Sequence, residues 1–403
     1  MVIRKTLKTI FFLILLVFPL GQLLRFELSQ TLAGIVFHPL EGFILAFGIV
    51  WLVQKLFSKK PFSLPIFARE MILFAGLASL SLFLNLGRWS AAELIVSFLY
   101  LLRLWNFVLF YFSLTDFFKK EKIPLLNYLV VEGLAIGSFG LLQYLFLSDV
   151  RFLYYSDWDD HYFRAIGSFL DPGFMAILLV LSFLVLLNNY FDQKKKKPLF
   201  FISALFLLFM IGLSFARLSY LALILGTGII LLAKRKIKNW LVLGGIFLVT
   251  VFLLPKPGGE GVDLWRKSSL NARQENYFQV TQIIKDSPWF GVGFNAYRFS
   301  QRDYGFLDLK NWRTSHSGSG ADNSFLFVWA TAGIFTFLAY LFLWARVLKE
   351  SYQKASRQKI ALLLFSSLLT LIFVSLFINA LFYPWVLSWL TMLLARFSAQ
   401  SEL

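Results

Sequence analysis

The chain has 403 residues, of which 58% are hydrophobic and 15% are charged, and its mean hydropathy is +0.70. A water-soluble domain of this length could not bury so much apolar surface, so the composition excludes an ordinary soluble enzyme and indicates a membrane protein. The lack of cysteine excludes disulfides and thiolate chemistry, and a total of three histidines does not favour a zinc centre, although carboxylates could still hold a hard cation.

Apolar segments follow one another along the whole chain, each near the length of about 20 residues that crosses a membrane. The first segment follows Arg4, Lys5 and Lys8, as in a signal peptide, but no small-residue cleavage site comes after it, so we interpret it as a retained helix. The sequence predicts an all-α polytopic membrane protein of twelve spans, with residues 1–403 as a single membrane domain. The predicted spans are residues 9–24, 32–54, 67–86, 92–114, 125–147, 172–190, 198–214, 217–233, 239–254, 323–345, 360–378 and 381–396.

The net charge of +17 comes mainly from basic residues on one side of the predicted membrane topology. Most of the 39 Lys and Arg, and few of the 22 acidic residues, lie at the N-terminus and in the loops on that side of the membrane. The positive-inside rule therefore predicts that both termini are cytoplasmic, and a nucleic-acid partner is the weaker interpretation. The cations on the other side are mostly Arg, whose planar fork grips phosphate, although structural ion pairs would give the same pattern.

Few ionisable residues fall deep within predicted spans, and the candidates are Arg103, Glu132 and Glu41. Arg103 in the fourth span and Glu132 in the fifth lie at a similar depth, roughly 11–14 Å from the inner boundary. An unpaired charge at that depth is expensive, so the sequence predicts that the two form a structural ion pair.

The longest connection, residues 255–322 between the ninth and tenth spans, is predicted to be a large extracytoplasmic loop, and loops of this length are usually functional. Helical spacing within it predicts an amphipathic helix near residues 272–285 that lies across the outer face of the protein. Arg273 falls in the first turn of this helix, where the helix dipole disfavours a cation, which indicates an anionic partner. The apolar face consists of Tyr277, Val280, Ile283 and Ile284.

Further polar residues stand on the same predicted side. Asp171, followed by Pro172, is interpreted as a helix cap more than as a catalyst. Arg164 has no such explanation, and Arg217 either serves function or reaches to the interface as an anchor. His316 lies on a Gly/Ser stretch leading to Asp322, which either caps the next helix or acts on an acceptor hydroxyl.

These segments together resemble the O-antigen ligase/polymerase family of bacterial envelope glycan enzymes, over roughly residues 160–345. The resemblance rests on Arg273, then Pro288-Trp-Phe-Gly291-Val-Gly293-Phe-Asn295, then Asp322-Asn323-Ser-Phe-Leu326 and Gly333. Weaker elements are Phe169-Leu-Asp-Pro172-Gly-Phe-Met-Ala176 and Ser214-Phe-Ala-Arg217.

The resemblance implies a GT-C-like glycosyltransferase of the bacterial cytoplasmic (inner) membrane. It implies transfer of a glycan from a polyprenyl-diphosphate carrier to a saccharide or glycolipid acceptor at the outer face, among membrane lipids and without metal or cofactor. By motif position, Arg164, Arg217 and Arg273 would bind the diphosphate.

The family histidine that is thought to activate the acceptor is replaced here by Asp322, so either Asp322 takes its role or His316 moves in. Because Asp322 lies near several arginines, its pKa is predicted to be lowered. We therefore expect Asp322 to orient the acceptor hydroxyl, with His316 as the alternative proton acceptor.

Three alternatives stay open at this stage. The reaction could be that of a ligase or of a polysaccharide polymerase, which share the donor and differ in the acceptor. A lipid or glycan transporter or flippase would instead place its polar groups around a midplane site, and the sequence has no evident internal repeat. A non-catalytic assembly scaffold is the third alternative.

Overall fold

The computed structural model describes residues 2–27, 35–58, 63–156, 158–191, 198–256, 260–307, 312 and 320–401. This part of the chain contains fourteen α-helices and one two-stranded antiparallel sheet, β1 (Phe26–Glu27) and β2 (Val36–Phe37). The helices are α1 Val2–Val17, α2 Pro39–Leu56, α3 Ala68–Leu84, α4 Ala91–Lys120, α5 Leu125–Phe146, α6 Pro172–Tyr190, α7 Pro198–Leu213, α8 Arg217–Ala233, α9 Ile237–Leu253, α10 Ser268–Asp286, α11 Tyr297–Asp303, α12 Ser324–Lys354, α13 Lys359–Ser375 and α14 Pro384–Ser401.

The chain is an all-α membrane protein. Helices α1–α9 and α12–α14 fall where the twelve spans are predicted, and α10 and α11 lie within residues 255–322. Six helical segments of the described chain are long and apolar enough to cross a membrane, and four further helices are apolar but shorter. The number of twelve crossings and the placement of the long loop therefore stay predictions.

Prolines explain where the helices depart from the predicted spans. The predicted span 32–54 is wrong at its start, because β2 occupies Val36–Phe37 and α2 begins only at Pro39. The last helix likewise begins at Pro384, and α1 ends at Val17, two residues before Pro19. Proline has no N–H to donate within a helix but suits its first position, so each of these residues sets a boundary.

Helix α6 lies at the centre of the bundle. In the 18-residue apolar stretch of α6, 78% of the residues are buried, whereas only 33% are buried in the equivalent stretch of α2. It packs against α5, α7, α8 and α13, while α4 packs against α2, α3 and α14. The site end of the bundle, defined as the end that carries residues 255–322, is built around the start of α6.

The predicted pair between Arg103 and Glu132 is wrong. Arg103 instead forms an ion pair with Glu41 of α2, from Nε to Oε1 at 2.5 Å, and donates a hydrogen bond from Nη2 to the carbonyl of Val36 at 2.9 Å. Glu132 is buried, and its Oε2 has no hydrogen-bond partner in the described chain. The prediction assumed that α4 packs on the next helix, but its main neighbours are α2, α3 and α14.

A close backbone crossing joins the segment before α11 to a kink in α12. Gly333 interrupts α12 with φ 79° and ψ 176°, and a Cβ there would lie 2.1 Å from the carbonyl oxygen of Trp289. Gly291 has φ 66°, and a Cβ there would lie 2.4 Å from the carbonyl carbon of Thr331. The glycines of the sequence motif therefore serve to seat this segment on α12.

Gly333→Ala is expected to destabilise the protein by about 1–3 kcal/mol from backbone strain, with the clash against Trp289 in addition. The matched control is Gly76→Ala in α3, where a Cβ would meet nothing within 4 Å and helix propensity favours alanine. Thermal unfolding of the two purified variants in detergent tests this. An unchanged transition for Gly333→Ala would show that the crossing is not rigid.

Candidate functional site

Helix α10 packs one face on the rest of the protein. Val280 and Ile283 are fully buried, whereas Gln274 is exposed and Gln282 is half-buried. This is the burial pattern that the predicted amphipathic helix requires, and the helix begins only four residues earlier than expected.

Single cysteines should report this orientation, because the natural chain has none to remove. We expect a membrane-impermeant thiol reagent to label Gln274→Cys quickly and Val280→Cys slowly. Denaturation before labelling should equalise the two rates, which controls for thiol reactivity. Equal rates in the folded protein would contradict the placement of α10.

Asp322 does not cap α12. Asn323 is the cap, since its side-chain oxygen accepts hydrogen bonds from the N–H groups of Phe325 (2.8 Å) and Leu326 (3.0 Å). Asn276 of α10 holds the segment before it, donating to the carbonyl of Gly320 (2.6 Å) and accepting from the N–H of Asp322 (2.8 Å). The backbone of Asp322 is thus fixed, while no other described residue hydrogen-bonds to its carboxylate.

The predicted lowering of the Asp322 pKa is wrong in direction. Burial raises the pKa of this carboxyl to about 6, and the charge of Arg273 opposes the rise without cancelling it. Nearby Asp159 raises it further. An acid with a pKa near the working pH is better suited to accept a proton than an ordinary carboxylate.

Arg273 lies near both Asp322 and Arg217. Burial lowers the pKa of its guanidinium, Asp322 raises it, and Arg217 lowers it, so both groups lie within electrostatic range. Arg273 forms no hydrogen bond or salt bridge with a described residue, and its guanidinium lies 6.0 Å from the centre of the Phe377 ring, a cation–π contact. A half-buried guanidinium with no hydrogen-bond acceptor among the described residues is suited to bind an anionic ligand.

Arg217 and Arg164 are partly engaged by the protein itself. Arg217 donates from Nη1 to the carbonyls of Leu264 (3.1 Å) and Arg266 (3.0 Å), which ties the start of α8 to the loop after α9. Arg164 donates from Nε to the carbonyl of Ser214 (2.9 Å), at the turn between α7 and α8. These contacts give both residues a structural role, and their role in binding diphosphate stays a prediction.

Arg266 completes the cationic cluster, which comprises Arg164, Arg217, Arg266 and Arg273. It donates a hydrogen bond to the carbonyl of Phe215 (3.3 Å), to which Arg164 also donates (3.4 Å). Burial, and then the charge of Arg266, lower the pKa of Arg164 to about 10. The cluster thus extends from the turn between α7 and α8 to Arg273 beside Asp322.

Two further ionisable residues at this end, Asp171 and His161, have shifted pKa values. Asp171 caps α6, accepting from the N–H of Phe174 at 2.7 Å, as the sequence predicts, and burial raises the pKa of its carboxyl. Burial, and then the charges of Arg164 and Arg266, lower the pKa of His161 to about 3. His161 is therefore neutral at physiological pH. His316 lies outside the described residues.

Two cavities at the site end of the bundle share the residues Val36, Tyr100 and Arg103. One, of about 280 Å³, is lined by Tyr297, Arg298 and Gly320 among others. Burial raises the pKa of the Tyr297 hydroxyl, and the negative charge of nearby Asp322 raises it further. The other, of about 300 Å³, is lined by Arg25, Asp159 and Asp171 among others. Together they form a recess with a mixed polar and apolar lining, and two of its lining residues, Tyr297 and Asp159, lie near enough to Asp322 to interact with it electrostatically.

An apolar groove of about 420 Å³ leads to the same shared residues from the side of the bundle. It runs between α2 and α4, and Leu45, Leu99 and Leu102 in its lining are exposed. Its inner end is formed by Tyr100 and Arg103, which also line both cavities. A molecule with an apolar chain and a polar head could therefore occupy the groove and the recess at once.

No sequence motif marks Arg266, Tyr297 or Arg298 as a site residue. Arg266 and Arg298 belong to the arginine-rich predicted outer face, which is the signal that could have found them. Tyr297 is buried, and its hydroxyl has no hydrogen-bond partner in the described chain. Nothing in its sequence pattern marks it.

Comparison with known families gives a match over the middle of the chain. The family model described as O-antigen ligase matches residues 202–341. The matched segment contains Arg217, Arg266, Arg273 and Asp322, whereas Arg164 lies before it. No curated protein matches the chain. The match confirms the resemblance seen in the sequence.

Proposed function

On the premise that residues 202–341 belong to the O-antigen ligase family, we propose that the protein transfers a glycan from a polyprenyl-diphosphate carrier to a saccharide or glycolipid acceptor. The observation that carries the proposal is that Arg273 and Asp322 lie within electrostatic range of each other. Arg273 is a half-buried cation without a hydrogen bond to any described residue. Asp322 is a buried carboxyl whose pKa is raised to about 6.

Chemically, the two groups suit the two ends of the reaction. The acceptor hydroxyl oxygen attacks the anomeric carbon, its proton passes to the Asp322 carboxylate, and the bond from the anomeric carbon to the diphosphate breaks. The electron pair leaves with the carrier diphosphate, whose charge Arg273 and Arg217 stabilise at a half-buried site where fixed cations act strongly. Asp322 then returns its proton to water.

The apolar groove between α2 and α4 supports a lipid-linked donor. We place the polyprenyl chain in this groove. The diphosphate then follows beyond the inner end of the groove, towards the cationic cluster, and the glycan follows the diphosphate. A midplane transporter site is disfavoured, because Asp171, Arg217 and Asp322 lie at or just before the starts of α6, α8 and α12 and not at the centres of these helices. The site end would then face away from the cytoplasm in the bacterial inner membrane, as the distribution of Lys predicts.

The direct test incubates the purified full-length protein with polyprenyl-diphosphate-linked oligosaccharide and candidate acceptor glycans. We expect carrier diphosphate to be released only when an acceptor is present. A single addition to the acceptor would indicate a ligase, and a ladder of products would indicate a polymerase. Movement of intact donor across a vesicle membrane without release of carrier diphosphate would contradict the proposal.

A further inference from the structure

A second polar cavity, of about 570 Å³, lies at the end of the bundle opposite Asp322. Helix α13 relates the two ends. The carbonyl of Leu376, just after α13, accepts a hydrogen bond from Asn323 beside Asp322, whereas Lys359 at the start of α13 lines the second cavity. The 17 residues of α13 separate these points by roughly 25 Å.

Cations line this cavity without acidic residues. Arg357, Lys359 and Arg396 are the charged residues of its lining, and no described lining residue is Asp or Glu. Its remaining polar side chains are amides, namely Asn127, Asn189, Gln358 and Gln400. A phosphate would meet cations here and no repelling carboxylate, and the amides could hydrogen-bond to neighbouring hydroxyls.

Arg396 has no acidic partner among the described residues, unlike Arg346 and Lys55 in the same half of the bundle. Arg396 is half-buried, yet it forms no hydrogen bond or salt bridge with a described residue. Its guanidinium lies 5.9 Å from the centre of the Phe118 ring, a cation–π contact. By contrast, Arg346 pairs with Glu70 and Lys55 pairs with Asp116. Taking a guanidinium partly out of water without an acceptor is costly, so a ligand that supplies one is favoured.

The N-terminal ends of two helices add partial positive charge to that of the cations in this cavity. Both α5 and α13 begin at the cavity, and neither preceding residue, Pro124 or Gln358, caps its helix with a side-chain hydrogen bond. The N–H groups of a first helical turn carry partial positive charge and attract anions. The side-chain oxygen of Gln358 is also buried and has no hydrogen-bond partner in the described chain.

We propose that this cavity binds a phosphate-bearing anion, supplied either by the headgroup of an anionic phospholipid in the adjacent leaflet or by a soluble phosphate compound. Arg396 and Arg357 contact the phosphate, and the amides hold the hydroxyls beside it. The proposal does not depend on the reaction proposed above, because the cavity lies at the other end of the bundle.

The test is native mass spectrometry of the delipidated full-length protein with phosphatidylglycerol, phosphatidylcholine or glycerol phosphate as the probe. The double variant Arg357→Gln, Arg396→Gln should bind phosphatidylglycerol roughly 25-fold more weakly, since each cation contributes about fivefold. The matched control is Lys238→Gln, Lys349→Gln, which removes the same charge from exposed positions outside this cavity and should change affinity little.

Each result decides the proposal. Selective loss of phosphatidylglycerol binding that glycerol phosphate does not compete for supports a lipid headgroup, and effective competition supports a soluble source. Equal binding of phosphatidylglycerol and phosphatidylcholine without glycerol phosphate binding overturns the proposal, as does equal weakening in the two double variants. Arg357→Gln alone, at an exposed position, gives the same comparison if the double variant does not fold.

Discussion

Replacing both Arg217 and Arg273 with alanine is expected to remove glycan transfer while the protein still folds and inserts. Loss of one fixed group that stabilises developing charge typically costs on the order of 10²–10³ in kcat, so Arg273→Ala alone should show a loss of this size. The measurement is release of carrier diphosphate by purified variants at saturating donor.

The two arginines differ in how cleanly they test the site. Arg217 also holds the carbonyls of Leu264 and Arg266, so its loss should loosen that loop as well as the ligand. Arg273 has no hydrogen bond to a described residue, so Arg273→Ala should leave thermal stability nearly unchanged. Arg273→Lys keeps the charge but loses the planar fork, and it should recover only part of the activity if the phosphate contact is bidentate.

Arg151→Ala is the matched control. Arg151 is an exposed cation at the same end of the bundle, paired with Asp149 and outside the cationic cluster. Its loss removes the same charge and should leave turnover close to that of the parent. Full activity in the Arg217→Ala, Arg273→Ala double variant would reject the cluster as the diphosphate site.

Periodicity in the sequence was sufficient for the elements that pack locally. The spacing of apolar residues predicts α10 and its buried face, because a helix of regular pitch carries its own pattern. The Asp171 cap is likewise readable from the following proline, and the structure has the same hydrogen bond. These features depend on a few adjacent residues and on nothing elsewhere in the fold.

The errors arose where distant segments decide the outcome. The partner of Arg103 is Glu41, because α4 packs against α2, and no local pattern reports which helices become neighbours. The arginines near Asp322 could be read from the sequence, but its burial could not. Burial outweighs their charge and reverses the direction of its pKa shift.

The cap of α12 was ambiguous for a different reason. Asp322 and Asn323 are both good caps by residue type, so the sequence could not choose between them. The structure assigns the cap to Asn323, whose amide also donates to Tyr277 of α10 and to the carbonyl of Leu376. That assignment leaves the Asp322 carboxylate free for chemistry.

Turnover is expected to fall as the pH drops through about 6, because Asp322 must be ionised to accept the acceptor proton. Burial raises its folded-state pKa to about 6, so the carboxylate form dominates above this pH and the protonated form below it. The rate should fall about tenfold for each further pH unit on the acid side. Asp322→Asn cannot accept the proton, so it should lose most activity and show no such acid limb.

A histidine titrates in the same range, with an ordinary pKa of about 6.5, so the parent profile alone does not separate Asp322 from His316. The variants do, because the acid limb must disappear with the group that causes it. We expect His316→Ala to keep the limb at a reduced or unchanged rate, and Asp322→Asn to lose it. If His316→Ala abolishes the limb while Asp322→Asn retains it, His316 is the proton acceptor, and the role of Asp322 reduces to orienting the acceptor hydroxyl.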